Sequence, residues 1–180
     1  MDAATIAAEL KAEFPDEVID INKFRGQVGV YLKKNRILDI ARYLHDTPQY
    51  NLDFLKDLCG VDYIDIKVPR FEVAYNLYSI KHGHMLRLNV QVSENNAELD
   101  SVVEVWAGAN WHERECYDMY GIVFNNHPDL RRILLPEDWE GYPLRKDYPL
   151  AGAEEEWRGF KEVLKKAEEF KQYAWNRKKT

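Results

Sequence analysis

The chain has few of the features that announce a chemistry. Its 180 residues contain two cysteines, Cys59 and Cys116. Two thiols cannot build a disulfide framework, and their scarcity points to a reducing compartment. Nor can they ligate an iron–sulfur cluster alone, which takes about four thiolates. There is no GxGxxG and no GxxxxGK[ST], so both glycine-built phosphate cradles are missing. Long apolar runs are absent too. The longest stretch free of Asp, Glu, Lys and Arg, Met119 to Pro128, is about half of the roughly 20 residues a membrane helix needs. The acidic start Met1-Asp2-Ala3-Ala4 reads as neither a secretory signal nor an Arg-rich transit peptide.

What is present suits one domain. Hydrophobic residues make up 46% and charged residues 31%, with 31 acids against 25 bases for a net charge of −6. That composition is globular, and the acidic balance argues against nucleic acid or an anionic membrane surface as the main partner. All five tryptophans lie in the C-terminal half, and four of the seven prolines fall between Pro128 and Pro149. The expected divisions are therefore an α+β body over residues 1–121, an irregular docking segment over 122–150 and a charged amphipathic tail helix over 151–180.

Within the body, Asp2 is expected to cap a helix that buries Ala3, Ile6, Ala7, Leu10 and Phe14 and stops at Pro15. Ile19 and Ile21, the Arg25-Gly26 turn, and Val28, Val30 and Leu32 read as a β-hairpin. Asn35 opens a second helix with Ile37, Ile40, Ala41 and Leu44 inward. Leu52, Leu55 and Leu58 suggest a short helical piece ended by Gly60. Two strands follow, one burying Phe71, Val73, Tyr75 and Leu77 and the other Leu86, Leu88, Val90 and Val92. The second strand's reverse face, Arg87, Asn89, Gln91 and Ser93, is polar. A third helix is expected through Leu99, Val102, Val103 and Trp106. A fourth would be capped by Asn110, with Glu113 in the capping-box position and Gly121 as its stop. The implied order, α-ββ-α-βββ-αα, is that of a two-layer α+β sandwich with a mixed sheet and helices on one face.

From Gly121 the periodicity ends. Prolines forbid long helices there, yet Ile122, Phe124, Leu130, Ile133, Leu134, Leu135, Trp139, Tyr142, Leu144 and Tyr148 are too apolar for a solvated loop. Such backbone packs either on its own domain or on another subunit. In the tail, Trp157, Phe160, Val163, Leu164, Ala167, Phe170 and Ala174 draw an apolar stripe, with Glu154–Arg158 and Glu162–Lys166 at i, i+4.

Candidate chemistry is sparse. His112-Glu113-Arg114-Glu115-Cys116 is one residue away from the zinc pattern HExxH, so a zinc hydrolase using His112, Glu113 and Cys116 is one reading. It lacks a third ligand, and a helix cap beside a buried Cys116 is the simpler account. His82 and His84 flank a turn glycine and read as ordinary turn residues. Glu113, Glu115 and Asp118 resemble an acid/base cluster, but Arg114 and Asp118 also stand at ion-pair spacing on a helix. Arg131-Arg132 beside Ile133-Leu134 suggests guanidinium forks aimed at carboxylates with an apolar anchor alongside.

The longer pattern is more specific. The run Glu113-Arg114-Glu115-Cys116-Tyr117-Asp118-Met119-Tyr120-Gly121-Ile122 is followed by His127-Pro128-Asp129-Leu130-Arg131-Arg132-Ile133-Leu134. Then comes Pro136-Glu137-Asp138-Trp139-Glu140-Gly141-Tyr142-Pro143-Leu144-Arg145-Lys146-Asp147-Tyr148-Pro149. Together these resemble the 30-kilodalton subunit family of respiratory complex I, the C subunit of bacterial NADH:quinone oxidoreductase, in its stand-alone form. The resemblance implies a peripheral-arm subunit with no catalytic residue and no cofactor of its own, flavin and iron–sulfur clusters lying in partner subunits. It implies packing against the quinone-site D or 49-kilodalton subunit, on the cytoplasmic side of a bacterial inner membrane or the matrix side of an organelle. Related membrane-bound hydrogenases and ferredoxin- or plastoquinone-linked complexes contain equivalent subunits. Structural and interface roles are expected for Glu113, Arg114, Glu115, Asp118, Gly121, His127, Pro128, Asp129, Arg131, Arg132, Ile133 and Leu134. The same is expected of Asp138, Trp139, Gly141, Pro143, Leu144, Arg145, Lys146 and Asp147.

Overall fold

A computed structural model describes residues 2–149 and 158–177. The first helix, α1 (Ala3–Glu13), begins where Asp2 accepts hydrogen bonds from the Thr5 amide at 2.9 Å and the Thr5 hydroxyl at 2.7 Å. Such a cap satisfies an amide that has no partner within the helix. It ends before Pro15, with Ile6, Ala7 and Leu10 fully buried. Strands β1 (Val18–Phe24) and β2 (Gln27–Leu32) pair antiparallel around Arg25 and Gly26, both at positive φ. That is the primed-turn signature of a two-residue hairpin. Helix α2 (Ile37–Asp46) buries Ile37, Ile40, Ala41 and Leu44. Its cap is Arg36 rather than Asn35, and no side chain bonds to its first turn.

The expected helical piece at Leu52–Leu58 is a strand. β3 (Phe54–Asp62) pairs antiparallel with β4 (Phe71–Tyr78), which pairs antiparallel with β5 (Met85–Val92). β5 in turn lies parallel to β2, giving a mixed five-stranded sheet in the order β1-β2-β5-β4-β3. A register irregularity between Leu55 and Asp57 explains the misreading. The bulge inserts a residue and spaces Leu55 and Leu58 by three, which imitates a helical stripe.

The expected helix through Leu99–Trp106 is likewise absent. Leu99 sits in β6 (Glu98–Asp100), which pairs parallel with β7 (Val123–Asn125), and Val102–Trp106 is a single turn. Buried Trp106 is held there by its indole N–H, which donates to the Leu52 carbonyl at 3.0 Å. Helix α3 (Ala109–Tyr120) then runs to Gly121, whose φ of +72° forms a left-handed stop. Helices α1 and α3 pack on the sheet, α1 against β1, β2 and β5 and α3 against β3, while α2 abuts β6. The core lies between these helices and the sheet face carrying Val30, Leu32, Val73, Tyr75, Leu88 and Val90. The reverse face carries Arg87, Asn89 and Gln91, as their alternation with Leu86, Leu88 and Val90 requires.

The chain divides into two compact units, Met1–Lys146 and Asp147–Thr180. The irregular stretch 122–146 thus belongs to the same unit as the body. In the second unit, helix α4 (Arg158–Arg177) leaves Val163, Leu164 and Phe170 exposed. The expected Glu154–Arg158 pair, Trp157, and the side chains of Phe160 and Ala174 lie outside the described residues. Among the described residues, no helix is long and apolar enough to cross a membrane.

Candidate functional site

Helix α3 has two working faces. Toward the sheet it presents Ala109, Glu113 and Cys116, all buried, followed by Tyr120. The helix approaches β3 so closely that a Cβ on Gly60 would fall 2.6 Å from the Tyr120 ring and 3.0 Å from the Cys116 sulfur. Close approach explains a glycine in the middle of this strand.

Glu113 does not close a capping box. Its carboxylate is fully buried and accepts the Ser101 hydroxyl at 2.6 Å and the Val102 amide at 2.8 Å, tying the β6–α3 loop to the helix. Burial pushes its pKa up to about 7, only partly opposed by those two hydrogen bonds. The sign of the pH dependence follows. A raised carboxyl binds its proton more tightly folded than unfolded, so its contribution is fully present below pH 4.5 and is lost as pH rises toward about 7. Stability is expected to decline across that window by on the order of 3 kcal/mol. Chemical denaturation of Glu113→Gln at several pH values should lack this decline. An identical slope in the variant would contradict the assignment.

The other face of α3 holds the irregular segment. Asp118, fully buried, gathers four donors. Its Oδ2 accepts the amides of Ile133, Leu134 and Leu135 at 3.0, 2.8 and 2.9 Å, and its Oδ1 accepts Arg132 Nη1 at 2.8 Å. Burial alone would raise this carboxyl, but the hydrogen bonds from Arg132 and the three amides hold it below the ordinary aspartate value. Arg132 reaches onward, Nη2 donating at 3.0 Å to both the Trp139 and Gly141 carbonyls, while its guanidinium covers the Tyr142 ring. One ion pair thereby ties together backbone from 118 to 141. The expected Arg114–Asp118 pairing along the helix does not occur. Arg114 instead donates to the Arg131 and Arg132 carbonyls, each at 3.1 Å.

Further contacts extend the seam. The Asp129 amide donates to His127 Nδ1 at 3.0 Å, which places the ring proton on Nε2, facing the Asn110 carbonyl at 3.2 Å. The Leu144 amide bonds to the Met119 carbonyl at 3.1 Å. Arg145 donates to the Tyr120 carbonyl at 2.6 Å and stacks on both Phe71 and Tyr142. The Lys146 amide donates at 2.9 Å to Asp62, whose carboxyl is lowered to about 2 chiefly by its hydrogen bond with Arg70.

The motif residues differ in how far they are engaged and how far they are exposed. Glu113, Arg114, Asp118, Gly121, His127, Arg132, Ile133, Gly141, Arg145 and Lys146 make contacts within the chain, and Trp139 joins them through its carbonyl. Pro143 is half-buried. Glu115, Pro128, Asp129, Arg131, Leu134, Asp138 and Leu144 are exposed. Arg131 pairs with Asp129 at 2.9 Å in solvent, and Asp147 opens the second unit. Ser101, Asp62 and Arg70 have roles that no local pattern in the sequence signals, because Ser101 meets Glu113 twelve residues on and Asp62 meets Arg70 eight and Lys146 84 residues on.

His112, Glu113 and Cys116, the residues of the zinc reading, are each engaged elsewhere. His112 is half-buried with Nδ1 3.9 Å from Asp57 Oδ1, Glu113 is committed to Ser101 and Val102, and Cys116 packs against Gly60. Among the described residues, no group of three His, Cys, Asp or Glu side chains could hold a metal ion.

Comparison with known proteins supplies the context. The sequence profile of the family described as "Respiratory-chain NADH dehydrogenase, 30 Kd subunit" matches residues 30–154. The C subunit of NADH-quinone oxidoreductase from Roseiflexus castenholzii is 52% identical over 155 residues, covering 86% of this chain and 88% of that one. The corresponding protein of Geobacter sulfurreducens is 49% identical, covering 82% and 90%. Among solved structures, the trypsin-resistant fragment of Nqo5 superimposes with a TM-score of 0.62 at 31% identity, covering 72% of this chain and all of the fragment. The chain therefore belongs to the 30-kilodalton subunit family of respiratory-chain NADH dehydrogenase, complex I.

Proposed function

We propose that this chain is a cofactor-free structural subunit of the peripheral arm, which packs the irregular segment against the quinone-site 49-kilodalton subunit. It supports electron transfer from NADH to quinone by holding that partner, with flavin, clusters and quinone all bound by other subunits. On this reading the chain sits on the cytoplasmic side of the bacterial membrane.

One observation carries the proposal. Leu134 and Leu144 are 63% and 48% exposed, yet the amide of each is pinned to adjoining residues of α3, Asp118 and Met119. Backbone this firmly held presents large aliphatic side chains at low entropic cost, which suits the apolar centre of a stable interface. Much of each leucine side chain is left uncovered by the described residues. The double variant Leu134→Asp, Leu144→Asp is expected to fold with wild-type cooperativity. It should co-purify with the 49-kilodalton-type subunit at least about tenfold less, since burying unpaired carboxylates at an interface core costs several kcal/mol. Wild-type recovery of the partner would reject the proposed surface.

A further inference from the structure

The reverse face of the sheet holds a cation with no counterion among the described residues. Arg87 stands on β5 in a row with Gly29 of β2 and Asn76 of β4. Its Nε donates to Asn89 Oδ1 at 3.0 Å, and among the described residues no carboxylate lies within ion-pair distance of its guanidinium. The acids on the same face are otherwise engaged. Glu72 is 2% exposed and pairs with Lys67 at 2.5 Å, and Asp57 accepts Asn76 at 3.2 Å. Gly29 carries no side chain beside Arg87, and the Asn89 amide lies over it, 3.1 Å from where a Cβ would stand. A cavity of about 250 Å³ forms there, lined by Phe24, Tyr31, Tyr63, Glu72 and Asn89 as well as Arg87. Arg87 also borders a second cavity of about 250 Å³ toward Gly26 and Gly83. Phe24 of the first cavity and Met85 of the second are 67% and 44% exposed.

We infer that this face is a second docking surface, opposite to the helices, which receives an acidic segment of another protein subunit with one carboxylate forked onto the Arg87 guanidinium. An arginine with aromatic and methionine neighbours is the composition that anchors protein interfaces. The planar guanidinium matches a carboxylate through two parallel hydrogen bonds. The apolar margin of Phe24 and Met85 favours a carboxylate flanked by hydrophobic side chains over a free inorganic anion. A single arginine without a glycine-rich loop or helix N-terminus is also a poor phosphate cradle.

The test uses the full chain in the assembled complex. With Phe24→p-benzoylphenylalanine, illumination is expected to give an adduct to a peptide of another subunit that has Asp or Glu within a few residues of the attachment site. Arg87→Glu should lower incorporation at least about tenfold by placing like charges face to face, and reversing the mapped acid to Arg should restore it. Arg87→Met, which keeps the stem and drops the charge, serves where Arg87→Glu fails to fold, and it too should incorporate poorly. An absent adduct, an adduct without a nearby acid, or wild-type incorporation of a folded Arg87 variant overturns the inference. The outcome is separable from that of the leucine surface. Loss of assembly in the Leu134, Leu144 variant beside normal assembly of Arg87→Glu removes this second surface alone.

Discussion

Replacing Arg132 by alanine is expected to release the irregular segment from the body and to lower stability by about 3–5 kcal/mol, the usual cost of breaking a buried ion pair from one side. Three losses coincide. The Asp118 carboxylate, fully buried, keeps its three backbone donors but loses the cation that balances its charge. The Trp139 and Gly141 carbonyls lose their shared donor, and the Tyr142 ring loses one of its two guanidinium covers. Limited proteolysis should cut Arg132→Ala within 133–141 and leave the wild type intact there, and urea denaturation should give the stability difference. Arg132→Lys should rescue little, since an ammonium cannot span the Asp118 carboxylate and two carbonyls as the guanidinium fork does. Full protease resistance in Arg132→Ala would mean that the amides alone hold the segment. The pair also carries a pH signature. Because Asp118 and Asp62 are held below the ordinary value, their contribution is present above pH 3.8 and lost as pH falls below it. Glu113 slopes the opposite way between pH 4.5 and about 7, so Glu113→Gln should remove that decline and keep the acid limb.

The second large effect is at Gly121. Its φ of +72° is unfavourable for any residue with a Cβ by about 1 kcal/mol, and an added Cβ would sit 2.5 Å from the Tyr142 ring. The ring cannot yield freely, since Arg132 and Arg145 both stack on it. Gly121→Ala is thus expected to cost about 3 kcal/mol, combining backbone strain with overpacking. In the background of Tyr142→Ala the same substitution should cost only about 1 kcal/mol, the backbone part. Equal costs in both backgrounds, measured by a double-mutant cycle in denaturant, would show that the ring is not the obstacle.

Legibility in the sequence followed the range of the interactions. Helix α1 was readable because its cap, Asp2 to Thr5, and its inward residues are all local. The β1–β2 hairpin was readable from Arg25-Gly26 for the same reason. Strand β3 was not, because its bulge spaces the leucines by three and its later inward positions are Gly60 and Asp62, neither of which advertises burial. The turn holding Val102 and Trp106 imitates a helix over its one turn, yet it is fixed from outside by Leu52 and Glu113. Glu113 offered a local partner three residues back and took Ser101, twelve back, instead. Arg132 and Asp118 both belong to the motif, but only the fold shows that the Arg132 fork closes on the chain's own Asp118. What the motif keeps inside it uses for rigidity, and what it leaves outside is mostly leucine and charge. That division is the basis for assigning Leu134 and Leu144 to a partner.

The most direct test of the whole account is a site-specific crosslink in the intact complex. With Leu144→p-benzoylphenylalanine, illumination followed by mass spectrometry is predicted to give an adduct between this chain and the 49-kilodalton-type quinone-site subunit. The same probe at exposed Ile66, in the loop between β3 and β4, serves as the reference for nonspecific reaction. An adduct from position 144 to a different subunit alone, or none beyond the Ile66 level, would contradict the account.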